Sequence, residues 1–186
     1  MNKEQRWEFQ AFVRLARDNH RAGIKLFRGT YPKPFEVIIS NAHQSVEKYL
    51  KAYLLKFRGK YPSIHQLDNL FERCCSCDEQ FEEIRADVEM LSPFGVLERY
   101  PHQKEFDETF VDRALKACGR IEVFILGELD LSELAYVEEA VSDEIKEAVF
   151  KSLELGMPLK MIRLLVGVSD EQFESLVQEF DTLEDS

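Results

Sequence analysis

Five cations, Arg14, Arg17, Arg21, Lys25 and Arg28, recur at intervals of 3, 4, 4 and 3 residues. On a helix of about 3.6 residues per turn, that spacing gathers them on one face. Aligned cations lower the cost of approaching a polyanion, so the first chemistry the sequence offers is phosphate contact. A solvated basic face, paired with acidic stretches elsewhere, is the plainer alternative. His20 falls on the apolar side of the same segment, with Phe12, Val13, Ala16 and Ile24 at helical spacing. There it reads as a hydrogen-bonded core histidine rather than a ligand or catalyst. Cys74, Cys75 and Cys77 form the run CCSC, and a metal site would need a second C-x-x-C or Cys/His pair that does not follow. They read as reduced thiols around a helix end, with Cys118 in the core. No metal and no cofactor is expected.

The elements that carry these residues are helices. Residues 3–28 place Phe9, Phe12, Val13, Ala16, Ile24 and Phe27 on one side of a long amphipathic helix. Residues 35–57 carry the clearest pattern in the chain: Phe35, Ile38, Ile39, Ala42, Val46, Tyr49, Leu50, Tyr53, Leu54 and Phe57 recur every three or four positions. Pro34 suits the first turn of that helix, and Gly59 with Pro62 ends it. Glu47 and Lys51 are an i,i+4 pair worth a few tenths of a kcal/mol, roughly, on a helix surface. His43 lies beside the apolar face, interfacial or exposed. Ser63 is placed to cap a short helix starting near His65. A further helix takes Phe81, Ile84, Val88 and Leu91, and another runs over residues 107–126, with Arg113, Lys116 and Arg120 on a separate face. No strand alternation occurs, so the expected fold is all-α: an antiparallel up-and-down helical bundle over 1–129. After a junction at 130–139 comes a small three-helix unit at 140–182, with Ser142, Gly156, Pro158, Gly167 and Ser169 as caps and breaks. The tail from Asp181 is expected to fray.

The 186 residues carry a net charge of −11, spread unevenly. Residues 1–65 hold a balance of +8, residues 66–129 of −8, and residues 130–186 of −11. No apolar run approaches the roughly 20 residues that span a bilayer, and the N-terminal MNKEQRWEF has no signal-peptide character. A cytoplasmic protein with no membrane partner is expected.

AHQSVEKYLKAYLL (42–55), then His65-Gln66-Leu67 after a turn, then FGVLERYP (94–101), resemble the HEPN family of helical domains associated with nucleotides and RNA. Glu47, Lys48, Leu50, Lys51, Leu54, His65, Leu67, Arg99, Tyr100 and Pro101 match its pattern, with Gln66 where Asp is usual; the likeness covers residues 3 to 128. The resemblance implies a homodimer and, in many members, a ribonuclease toxin paired with a nucleotidyltransferase antitoxin. Such enzymes use Arg, four to six residues, then His. The histidine handles the 2′-hydroxyl or leaving-group proton and the arginine stabilises the phosphorane. Here Arg99 and His102 are separated by only two residues. Arg58 and His65 have six between them, but lie where the family places its structural His-Asp-Leu.

The resemblance therefore implies a nucleotide- or RNA-associated interaction module without catalysis, with Arg58, His65 and Tyr100 joining the five-cation stripe as candidate ligand contacts. A metal-independent ribonuclease using Arg99 and His102, or Arg58 and His65, with RNA held by the basic stripes, is the alternative. A third reading, a DNA-binding regulator, rests on the helix-turn-helix-like C-terminal unit. Its second helix, from Ser169 onward, would carry Asp170, Glu171, Glu174 and Glu179 towards DNA that bears a charge every ~1.7 Å, so duplex DNA is a poor partner. A protein-interaction appendage, able to dock on a basic face such as the stripe, fits that unit better.

Overall fold

The computed structural model describes residues 1–95, 106–132, 143–166, 168 and 170–184. Its α-helices are α1 (Lys3–Gly29), α2 (Phe35–Arg58), α3 (Leu67–Cys75), α4 (Arg85–Leu91), α5 (Glu108–Glu128), α6 (Asp143–Glu154), α7 (Leu159–Val166) and α8 (Asp170–Glu184). Two short 3-10 helices, Glu79–Ile84 and Ser92–Phe94, flank α4. No strand occurs among the described residues. The chain divides into two compact units, Met1–Ile24 with Pro34–Tyr136, and Lys25–Lys33 with Val137–Ser186.

Local chemistry sets the helix ends. Asn2 Oδ1 accepts from the Gln5 backbone N–H at 2.8 Å while Gln5 Oε1 accepts from the Asn2 N–H at 2.8 Å, a reciprocal cap that starts α1. Pro34 immediately precedes α2 rather than occupying its first turn. Gly59 closes α2 in the left-handed region, φ 69°, with its N–H on the Leu55 carbonyl at 3.0 Å. Asp107 caps α5 by accepting from the Phe110 N–H at 2.7 Å. Ser63, by contrast, caps no helix among the described residues. The helix after the turn begins at Leu67, preceded by an extended Gln66 with no side-chain cap. The extended approach delivers Leu67 and Leu70 fully buried, and that burial replaces the missing cap.

α2 is the centre of the first unit. Ile38, Ile39, Ala42, Val46, Tyr49, Leu50, Tyr53 and Leu54 are all buried, as the periodicity requires. Phe57 leaves the pattern: it is 52% exposed, because the last turn of α2 runs past the core. α1 lies antiparallel to α2, with Ser45 Oγ donating to the Ala16 carbonyl at 2.8 Å and Gln5 Nε2 to the Gly59 carbonyl at 2.8 Å. α5 runs parallel to α2: Cys118 Sγ faces the Ala42 carbonyl at 3.7 Å, Tyr49 meets Glu122, and Lys56 Nζ donates to the Leu129 carbonyl at 2.7 Å. α4 and the preceding 3-10 helix lie antiparallel to α5, through Phe81 on Phe124, Asp87 on Arg120 and Phe94 on Phe110. The order is therefore up, down, up, down, with α3 laid on α2. The parallel pair α2–α5 forms the most extensive contact, and the buried Ala42, Ala114, Ala117 and Cys118 let the two helices approach. Gly23 of α1 belongs to the same close approach, since a Cβ there would stand 3.1 Å from Leu115 Cδ2.

The second unit encloses its own small core of Val149, Ile162, Val168, Phe173 and Leu176. Gly156, φ 69°, ends α6, and the Pro158 carbonyl accepts the Met161 and Ile162 N–H groups of α7. α8 continues through Glu184, past the point where fraying is expected. Ser142, Gly167 and Ser169 lie outside the described residues. No helix among the described residues is long and apolar enough to cross a membrane.

Candidate functional site

The polar residues of α2 gather where His65 comes back over the helix. Lys51 Nζ donates to Glu47 Oε1 at 2.7 Å, and His65 Nδ1 meets the same oxygen at 3.0 Å. Glu47 and Lys51 are not a surface pair. Their side chains are 12% and 7% exposed, so the turn of helix that carries them is roofed by the chain around His65 and Tyr61. Burial raises the Glu47 carboxyl, but the hydrogen bond and charge of Lys51, followed by His65, bring it below its usual value. The His65 side chain is 62% exposed.

His43, one turn before Glu47, is buried rather than interfacial. It falls on the same inward face as Ile39, Val46 and Leu50, and that face is covered by Leu91 and Gly95. Its Nδ1 lies 3.0 Å from the Leu91 carbonyl, while its Nε2 is buried with no partner among the described residues. Burial lowers its pKa, against the smaller upward pulls of the Leu91 carbonyl, the Glu47 charge and the His65 backbone. An imidazole held below its free value refuses a proton that the unfolded chain accepts. Its stabilising effect is thus complete above about pH 6.5 and declines as pH falls below that value, levelling off under the folded pKa. Urea midpoints measured from about pH 7.5 to about pH 5.5 should fall, and His43→Gln should flatten that slope. An equal slope in the variant would assign it to another group.

The stripe on α1 is less uniform than its spacing. Arg14, Arg21 and Lys25 are exposed, and Arg14 Nη1 pairs with Asp18 at 3.4 Å. Arg17 is half-buried, its Nε enclosed without a partner among the described residues, and its charge acts on the Tyr49 hydroxyl. Arg28 is half-buried as well. Arg58, the last residue of α2, donates through Nε to Cys77 Sγ at 2.7 Å and through Nη2 to the Ser76 carbonyl at 3.2 Å. Arg58 and His65 therefore engage separate partners. Arg99, Tyr100 and His102 lie outside the described residues.

A second pair has the ribonuclease spacing and escapes a reading centred on the His65 turn: Arg14 and His20, with five residues between them. They are not brought together. Arg14 points to solvent, while His20 is 3% exposed and meets Glu122 Oε2 through Nδ1. Six positions along a helix carry a side chain about 240° round the axis, onto another face. His20 is the core histidine its neighbours imply, and Glu122 is its partner. Tyr49 donates its hydroxyl to Glu122 Oε1 at 2.6 Å, so both carboxylate oxygens are used. Burial, then the adjacent Glu122 charge, pushes the Tyr49 phenol well above its normal value. The signal was available: Glu122 follows Cys118 by four and precedes Ile125 by three, on the buried stripe of α5.

The cysteines are free, with Cys74 and Cys118 buried and Cys77 exposed. Burial pushes the Cys118 thiol up to about 12. No group of three or more His, Cys, Asp or Glu side chains arranged to hold a metal occurs among the described residues.

No curated protein and no solved structure matches the chain. The HEPN domain model matches residues 10–128, which run from the second turn of α1 to the last residue of α5 and take in the whole α2–α5 core with its His65 turn. The chain belongs to the HEPN domain family, whose helical domains associate with nucleotides and RNA.

Proposed function

We propose that this HEPN module binds a nucleotide or RNA without cleaving it, acts as a homodimer, and partners a nucleotidyltransferase-type protein of a toxin–antitoxin or defence system. The observation that carries the non-catalytic reading is the fate of the two Arg/His pairs at ribonuclease spacing. Arg14 is exposed on Asp18 while His20 is locked on buried Glu122, and Arg58 is tied to Ser76 and Cys77 while His65 is turned to Glu47. Neither pair presents a guanidinium and an imidazole to one phosphate, which the chemistry of cleavage requires. Exposed Arg21 and Lys25 supply phosphate contact without a catalytic partner. A cytoplasmic setting fits the four free thiols. Exposed Glu174 and Glu179 on α8 weigh against duplex DNA as the ligand of the second unit.

Incubation with end-labelled RNA tests this. The full chain should retard the RNA in a salt-dependent manner and leave its length unchanged, and Arg21→Glu with Lys25→Glu should weaken retardation. Cleavage by the wild type that disappears in Arg99→Ala and His102→Ala would overturn the binding reading in favour of a ribonuclease built on those two residues.

A further inference from the structure

The turn that ends α3 gathers Cys74, Cys75 and Cys77. The Cys77 N–H donates to the Cys74 carbonyl at 2.8 Å and the Asp78 N–H to the same oxygen at 3.0 Å, so residues 74–77 close a tight four-residue turn. Ser76 within it lies in the right-handed helical region, φ −69° and ψ −11°. A turn of this kind holds its first and last Cα atoms within about 7 Å, and a disulfide spans about 4.4–6.8 Å. On helical winding, positions three apart share a face, while positions one or two apart do not. Cys74 and Cys77 are therefore the pair placed to bond, and Cys75 faces neither.

The surroundings of the four thiols single out Cys77. Cys118 is fully buried, and burial holds the fully buried Cys74 thiol far above its ordinary range. Cys75 is half-buried, and burial followed by the charges of Glu82 and Glu72 raises it to about 11. Cys77 is the exposed one, and it faces a cation. Arg58 Nε donates to its Sγ at 2.7 Å, while its own S–H reaches the Arg73 carbonyl at 3.2 Å. A second bond, from Arg58 Nη2 to the Ser76 carbonyl at 3.2 Å, keeps the guanidinium in place. An exposed sulfur beside a fixed cation is the setting in which thiols react, whereas thiols buried in apolar surroundings are inert.

We propose that Cys77 is a modification site for hydroperoxides, and that Cys74 resolves the product into a reversible disulfide. A hydroperoxide is small enough to reach a sulfur engaged on two sides. In the first step the Cys77 sulfur attacks its terminal oxygen, the O–O bond breaks and an S–O bond forms. The thiol proton goes to the departing oxygen, which leaves as an alcohol, or as water from hydrogen peroxide, and Cys77 becomes a sulfenic acid. In the second step Cys74 Sγ displaces the hydroxyl from Cys77, and its own proton leaves with that oxygen as water. The two thiols supply the two electrons that reduce the peroxide. Oxidation removes two S–H donors at once, that of Cys77 on the Arg73 carbonyl and that of Cys74 on the Leu50 carbonyl at 3.8 Å. Leu50 belongs to α2, so the redox state of this turn acts on the packing of α3 against α2.

Treatment of the full chain with graded hydrogen peroxide, then alkylation of the remaining thiols in urea and peptide mass mapping, tests the site. The wild type should lose two of its four alkylatable thiols, gain a Cys74–Cys77 link and run as a single chain on a denaturing non-reducing gel. A dithiol reductant should restore all four. Cys77→Ser should keep its thiols at the same dose, and Cys75→Ser should behave as the wild type; neither change touches the core. Cys74→Ala should accumulate a sulfenic acid at Cys77, trapped by dimedone. Arg58→Met should slow the oxidation of Cys77 several-fold. Oxidation of Cys75 or Cys118 ahead of Cys77, or loss of thiols from Cys77→Ser at the wild-type rate, would overturn the site. A link between two chains would overturn Cys74 as the resolving thiol, and an unchanged rate in Arg58→Met the part given to the cation. An equal preference for Cys77 in the urea-unfolded chain would overturn the part given to the fold.

Discussion

Glu122→Ala is expected to destabilise the fold by about 3–5 kcal/mol, as removal of one partner from a buried charged network does. The carboxylate is 1% exposed and serves two groups at once, the His20 ring and the Tyr49 hydroxyl. Alanine would strand both where water cannot replace the lost acceptor. For a chain of this size a loss of that order lowers the thermal midpoint by about 10 °C. Glu122→Gln is the informative control. Its carbonyl can accept from Tyr49 and its amide can donate to a neutral His20, so the cost should shrink to about 1–2 kcal/mol. Tyr49→Phe combined with Glu122→Gln should show non-additive losses in urea titrations. An alanine variant within about 1 kcal/mol of wild type would mean that the carboxylate is not the pivot of this network.

Phe81→Ala should cost a similar amount, about 3–5 kcal/mol, for a different reason. Phe81 is fully buried in a 3-10 helix and touches three other helices. Its ring centroid lies 4.4 Å from Tyr53 of α2, 5.1 Å from Phe124 of α5 and 6.4 Å from Phe71 of α3. Truncation leaves a cavity among rings that are themselves held by neighbouring helices, so little collapse can fill it. Phe81→Leu, which retains most of the volume, should lose less than about 1.5 kcal/mol. Equal urea midpoints for Phe81→Ala and Phe81→Leu would show that the site collapses after all.

These two residues show unequal legibility. Phe81 stands out as the first member of an apolar series with Ile84, Val88 and Leu91, and only the 3-10 winding of its segment was hidden. The limits and buried face of α2 are equally plain, because Gly59 and the three-and-four spacing depend on backbone sterics and burial alone. Glu122 and His43 resemble surface residues by type and core residues by position. Their positions prevail with partners 102 and 48 residues away, which engage one carboxylate oxygen of Glu122 and Nδ1 of His43. Such partners do not show in local spacing. The α1 stripe errs in the other direction, since regular spacing places five cations alike and the core draws Arg17 inward.

The parallel pairing of α2 with α5 bears on how quickly the molecule can assemble. Its contacts join residues 76, 73 and 73 positions apart, at Ala42–Cys118, Tyr49–Glu122 and Lys56–Leu129. Closing a loop of that length costs about 4 kcal/mol of chain entropy before any contact repays it. Neighbouring helices can meet as hairpins, but the widest contact of the bundle must wait for the end of a long search. An all-helical chain of this topology should therefore fold more slowly than its helix content alone implies. In synthesis from the N-terminus, α2 spends the interval before α5 emerges with its Ala42–Tyr49 face uncovered.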